Sequence, residues 1–281
     1  RISIDMSFKR IHGWQEFEVE AWDNQHMRSI ISTRAFITLQ SADAHFILFC
    51  CIFEIAEADM GIAVTFHHID GVGFQSVVAD GHKGQGLGLG MFCVYLCHGN
   101  CTPCKYEPHY CLSDLNPYDH LQQMYHLCTV HFQWNAFKLH GSVTPRVYNA
   151  MLSLSSFEPH PDLKQTLRII RAGGKKAKAW LKDKIDGMKF ALPALYFPKS
   201  LMPADFWKAC PTTTNGNEQA HHSINRDGVH LTLLGGIMQG YDYDKRAASS
   251  IDIHQTYGIN TRDRGSTHAQ HASRAISRLG L

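Results

Sequence analysis

The sequence predicts an α/β fold, and three observations carry that expectation. The first forty residues read as three short strand-like runs divided by turn residues, the second alternating polar and apolar side chains. Residues 41–59 then place apolar side chains at helical spacing. After them a strand-like run ending at Asp80 meets a glycine-rich turn and a second helical pattern.

The first strand is Ile2-Ser3-Ile4-Asp5-Met6-Ser7-Phe8-Lys9, the second Glu16 to Trp22 and the third Ser29 to Thr38. Asp23-Asn24 supplies the turn between the last two, and short turns between consecutive strands predict an antiparallel meander. The helix from about Ser41 to Asp59 gathers Phe46, Phe49, Cys50, Phe53 and Ala56 on one face, with Ser41 as N-cap and Gly61 as stop. A short strand around Val64-Thr65-Phe66, the strand Phe74 to Asp80 and a helix from near Gln85 to Leu96 follow. Residues 98–118 are irregular, and order returns at His120-Leu121 and from Leu127 to Leu139. Val147 to Leu154, Asp162 to Arg171 and Lys175 to Lys184 read as helices, the last two broken at Gly173-Gly174, and Pro193, Pro198 and Pro203 mark a loop. Glu218 opens a helix that ends at Asp227-Gly228, and the tail after Ala247 is polar and expected to pack loosely.

Composition bounds the function. A chain of 281 residues, 44% hydrophobic and 19% charged, is globular and buries a sizeable core. A net charge of +2 does not by itself indicate nucleic acid. No apolar run is long enough to span a bilayer, so no membrane partner is expected. The chain opens directly on a strand with no signal peptide in view, which suggests a fragment cut at the start of a domain. Nine cysteines, an odd number, fit a reduced intracellular setting better than a disulfide framework.

Three acids stand out. Asp5 lies in the first strand, Asp80 closes a later one, and Glu218 opens a late helix. Taken alone, each acid is a cap or turn residue. Carboxylates held at strand ends and on a late helix can together bind divalent metal for phosphoryl transfer on nucleic acid. Gly81 and Gly84 allow the chain to turn sharply beside Asp80.

The surrounding segments resemble Mutator-like (MULE-type) DDE transposases. Asp5-Met6-Ser7-Phe8-Lys9 looks like the first catalytic segment of that family and Asp80-Gly81-His82-Lys83-Gly84 like the second. Cys128-Thr129-Val130-His131 with Asn135 resembles the C-x-x-H motif and its trailing asparagine, and Thr214-Asn215-Gly216-Asn217-Glu218 the segment with the final glutamate. Their order and broad spacing agree from about Ser3 to Gly228. The resemblance implies an RNase H-like fold, a mixed five-stranded sheet flanked by helices, with a mostly helical insertion before the last catalytic helix. On that plan residues 1–135 form the first part of the catalytic core, 136–205 the insertion, 206–245 the end of the core with Glu218, and 246–281 a polar tail. It implies a nuclear enzyme that cleaves DNA at transposon ends and joins the 3′-hydroxyl to target DNA, as a homo-oligomer in the active complex. Asp5, Asp80 and Glu218 would bind two Mg²⁺ or Mn²⁺ ions, with Cys128, His131 and Asn135 supporting the site. The sequence departs from the family in Ser7, where a threonine is usual. It also holds no zinc-binding DNA-recognition domain ahead of the first strand, and so is expected to lack recognition of transposon ends. The rival expectation is a catalytically inactive or domesticated copy that binds DNA or a partner protein.

Other segments offer further chemistry. Lys175, Lys176, Lys178 and Lys182, with Lys184, Arg168 and Arg171, make a basic stretch that reads as phosphate contacts or as a solvated face. Trp180 lies among them, and Trp207 reads as core or as a platform for a flipped base. Cys101, Cys104, His109 and Cys111 form a possible zinc knuckle, which makes a zinc-dependent structural module a third reading. Gly84-Gln85-Gly86-Leu87-Gly88-Leu89-Gly90 fails the G-x-G-x-x-G pattern and reads as turn or close-packing glycine. His67-His68-Ile69-Asp70 reads as structural, because neighbouring side chains on a strand point to opposite faces.

Overall fold

A computed structural model describes residues 1–23, 28–211, 221, 224–225 and 227–258. The chain is α/β, with a mixed five-stranded sheet in the order β3-β2-β1-β4-β5. It divides into two compact units.

One unit contains residues 2–38 and the described residues from His221 onward. β1 (Ile2–Ile11), β2 (Trp14–Asp23) and β3 (Arg28–Ile37) form the antiparallel meander that three consecutive strands with short turns predict. Asp5 is paired with Glu18, and Glu18 with Arg34, across the three strands. Ile4, Phe17 and Val19 are buried, while Ser3, Asp5, Ser7, Glu16, Glu18 and Glu20 alternate with the apolar positions and are buried too. Alternation usually marks a face left to solvent; here both faces are covered.

A long helix, Leu233–Tyr257, lies beyond the stretch where the sequence suggested order, and we label it α11. As far as Tyr257, the expected loose tail after Ala247 is therefore the last two fifths of this helix. Periodicity missed it because the residues it buries are Gly236 and Gly240. A Cβ on Gly236 would lie 2.3 Å from Ile11 Cδ1, and one on Gly240 would lie 3.3 Å from Arg10 and Arg34 side-chain atoms. The helix approaches through glycine and ion pairs, which carry no hydrophobic signal. Backbone bonds from His12 to Leu231 and from Leu231 to Arg10 zip the segment before it along the end of β1.

The other unit contains Arg1 and residues 39–214, described as far as Pro211. α1 (Ala42–Met60) has the predicted caps: Ser41 Oγ accepts from Ala44 N at 3.1 Å, and Gly61 ends the helix at φ 67°. The Val64-Thr65-Phe66 strand does not form; Phe66 makes only an isolated bridge to Phe74, and α2 (His67–Asp70) is a single helical turn. β4 (Val77–Ala79) runs parallel to β5 (Tyr125–Leu127). Between them α3 (Lys83–Leu96) and α4 (Pro117–Met124) pack together, and α3 also lies on α1. Glycine makes that approach possible: a Cβ on Gly88 would meet His45 Cβ at 2.5 Å, and one on Gly90 would meet the Pro117 carbonyl oxygen at 2.5 Å. The glycine-rich stretch is thus a helix surface and not a phosphate loop.

α5 (Thr129–Phe137), α6 (Pro145–Leu152), α7 (Leu163–Ala172), α8 (Lys175–Leu181), α9 (Ala191–Leu195) and α10 (Ala204–Ala209) complete the unit. Trp207 packs with Val78, Met202 and Cys210, and Trp180 lies against Phe132. Both are core residues, so neither offers a free stacking face. Among the described residues no helix is long and apolar enough to cross a membrane.

Candidate functional site

The end of the β4–β5 pair positions the second candidate acid. Ala79 is paired with Leu127, Cys128 N donates to the Ala79 carbonyl at 2.7 Å, and Asp80 follows at once. Asp80 and Cys128 thus leave side by side from the carboxyl ends of two parallel strands, where open α/β sheets place their ligands. Asp80 is exposed, Oδ1 accepts from His82 N at 3.3 Å, and Gly81 turns the chain at φ +88°. A pocket of about 30 Å³, enough for one or two waters or an ion, is lined by Asp80, Gly81, Cys128, Asn135 and Lys184, with apolar walls. Cys128 is the N-cap of α5, and His131 and Asn135 follow one turn apart on that helix. The structure therefore brings together Asp80, Cys128 and Asn135, predicted from two separate segments.

The other unit holds the first candidate acid. Asp5 is buried, with Oδ1 accepting from Met6 N at 2.8 Å and Oδ2 lying 3.5 Å from His221 Nδ1. His221 Nε2 lies 2.6 Å from Glu18 Oε2. Arg10 pairs with Glu16, and Arg34 pairs with Glu18 and lies 2.9 Å from Glu16 Oε1. Arg34 also grips Asp244 on α11 with two nitrogens, at 2.7 and 3.0 Å. Asp5, Glu16, Glu18 and Glu20 were not read as a group from the sequence, although a period of two in β2 was visible.

This polar layer titrates unusually. Burial, with Glu18 and Asp5 nearby, pushes the Glu20 carboxyl up to about 7 against the opposing bond from Ser29. Burial disfavours the charged His221 ring, but Glu18, Asp5 and Glu16 outweigh it and raise its pKa. An acid raised in the folded state stays protonated there while the unfolded chain ionises, so stability falls as pH rises from about 4.5 to about 7. His221 acts in the same direction: its contribution is complete below the ordinary histidine value and is lost as pH passes its raised one. Without divalent metal, Glu20 alone should cost about 3 kcal/mol over that window. Glu20→Gln should flatten the fall, seen by comparing urea unfolding at pH 5 and pH 8; an unchanged slope removes Glu20 as its source.

Glu218 and Thr214 to Asn217 lie outside the described residues. Lys175, Lys176, Lys178 and Lys182 are all exposed, and Lys176 Nζ donates to Ser142 Oγ at 3.0 Å.

The predicted zinc knuckle is not gathered. Cys101 and His109 are exposed, and Cys104 is buried with Sγ 3.2 Å from Gln123 Oε1. Among the described residues, the one group of His, Cys, Asp or Glu whose ligand atoms all lie within 4.8 Å of one another is His68, Cys93 and His120. This buried cluster can hold a metal ion. His68 sits on the helical turn α2 and not on a strand, which removes the geometric reason for reading it as structural. His68 Nε2 lies 3.0 Å from His120 Nδ1. Burial holds His120 down at about 4 and His68 well below its ordinary value, so both rings are neutral at pH 7. The sequence offered one hint in the His67-His68-Ile69-Asp70 run and none that tied it to Cys93 or His120.

Comparison with protein-family models, curated proteins and solved structures finds no match to this chain.

Proposed function

We propose that the chain is the catalytic domain of a DDE transposase of the Mutator-like type, on an RNase H-like fold, working on DNA in the nucleus. Asp5, Asp80 and Glu218 are its metal ligands and Mg²⁺ or Mn²⁺ its ions. The observation that carries this reading is the pocket lined by Asp80, Cys128 and Asn135. The motifs that contribute these residues resemble two ordered segments of that family, and in the fold they share one site. An exposed carboxylate beside a glycine turn suits a hard, oxygen-preferring cation, whereas the Cys128 thiol does not. Cys128 and Asn135 shape the wall, and Lys184, 2.9 Å from Asp183, brings positive charge to the pocket rim.

Two divalent ions would activate the attacking oxygen and stabilise the leaving one. Water attack at a phosphodiester leaves a 3′-hydroxyl, which then attacks target DNA and displaces another 3′-oxygen. The active complex is proposed to be a homo-oligomer. The test is nicking of supercoiled plasmid by the purified chain. Cleavage that requires Mg²⁺ or Mn²⁺ and stops in EDTA is expected; no cleavage with either ion overturns the reading.

The exposed lysines of α8 favour DNA contact whether or not the chain cleaves. A non-catalytic DNA binder is therefore the second reading, distinguished by binding that needs no divalent ion. In both, replacing Lys175, Lys176, Lys178 and Lys182 with Ala should weaken binding to any DNA sequence. It should also make the slope of log K against log salt shallower by up to about 3–4. An unchanged slope, measured by fluorescence anisotropy, would assign these lysines to solvent alone.

A further inference from the structure

His68 on α2, Cys93 on α3 and His120 on α4 are 1%, 0% and 0% exposed. We propose that they hold a structural zinc ion, separate from the acidic site. The donor set decides the metal. Two imidazoles and a thiol without a carboxylate match zinc and mismatch Mg²⁺. The spacing fits as well: Zn–N bonds near 2.0–2.1 Å put two tetrahedral nitrogens about 3.3 Å apart, and His68 Nε2 and His120 Nδ1 stand at 3.0 Å. Full burial leaves no route for substrate, so the role is structural.

The ion would tie a one-turn helix to two longer ones across a region of irregular chain, residues 98–116, which has few regular backbone ladders of its own. Binding replaces the Cys93 S–H bond with S–Zn, and the proton goes to solvent. The outer ring nitrogens, His68 Nδ1 and His120 Nε2, have no hydrogen-bond partner among the described residues. Zinc histidines normally donate from that nitrogen to a carbonyl or carboxylate, and losing such support costs about 10–100-fold in affinity. The site should therefore bind more weakly than a fully supported one, while still stoichiometrically at micromolar protein.

The test is metal analysis of the purified full chain, followed by chelator-competition titration with Zn²⁺. One zinc per chain is expected, and Co²⁺ in its place should give the visible bands of a tetrahedral thiolate site. Cys93→Ser, close in size and checked for folding by circular dichroism, should lower zinc affinity at least tenfold, as should His120→Gln. Cys101→Ser/Cys111→Ser and Asp80→Asn should keep the zinc, which separates this site from the rejected knuckle and from the catalytic acids. A chain that neither carries nor takes up zinc overturns the proposal. So does full zinc retention in Cys93→Ser, or copper in place of zinc.

Discussion

Asp80→Asn is expected to lower divalent-ion-dependent DNA cleavage roughly 10³-fold while leaving the fold intact. The side chain is exposed, and its Oδ1 accepts a hydrogen bond from His82 N. An asparagine oxygen accepts the same bond, so the turn through Gly81 survives, and an exposed substitution of this kind costs within about 0.5 kcal/mol. What disappears is the negative charge. A metal ion contributes several kcal/mol of stabilisation to the charge that develops at the phosphate, and each 1.4 kcal/mol is tenfold in rate. On the proposed reading DNA affinity would come from lysines elsewhere on the unit, and it should change little. Plasmid nicking and anisotropy on the same preparation separate the two effects. Cleavage within a few-fold of the unaltered chain would remove Asp80 from the metal site. Joint loss of cleavage and DNA binding would point to misfolding, which circular dichroism would reveal.

Parts of this molecule were legible because local chemistry and tertiary structure agree. The meander could be read because β1 and β2 alternate strictly, and α1 because Ser41 and Gly61 are caps at both ends of an apolar stripe. Asp80, Cys128 and Asn135 line one pocket, and the two short segments that contribute them stood out in the sequence as ordered motifs. The failures share a physical cause. α11 buries glycines and ion pairs in place of a hydrophobic stripe, so periodicity had nothing to detect. Glu16 and Glu18 look like a solvated strand face until Arg10, Arg34 and His221 are seen to pair with them. His68, Cys93 and His120 come from three helices, and no spacing in the sequence reports a junction of that kind. The Val64-Thr65-Phe66 run has β-branched and aromatic residues but finds only a single bridge partner, showing propensity overruled by pairing.

The largest stability effect should follow from Arg10→Met. Arg10 is wholly buried; its guanidinium pairs with Glu16 and donates to the Gly236 carbonyl of α11. Removing it leaves Glu16, itself 1% exposed, with only a share of Arg34, and exposes the Gly236 oxygen to an apolar neighbour. Breaking a buried pair by deleting one partner costs about 3–5 kcal/mol, because the remaining charge is not solvated. A buried pair is nonetheless weak evidence of net stabilisation, since both charges were taken from water to form it. The double variant Arg10→Met/Glu16→Met should therefore recover much of the loss, leaving Arg34 to serve Glu18 and Asp244. Hydrogen exchange resolves the effect by region: β1–β3 amides should lose protection in the single variant while those of α3 do not. Equal loss in both units would show that the two unfold together. Equal damage from the single and double variants would mean that the Gly236 bond, and not the charge left on Glu16, is what Arg10 supplies.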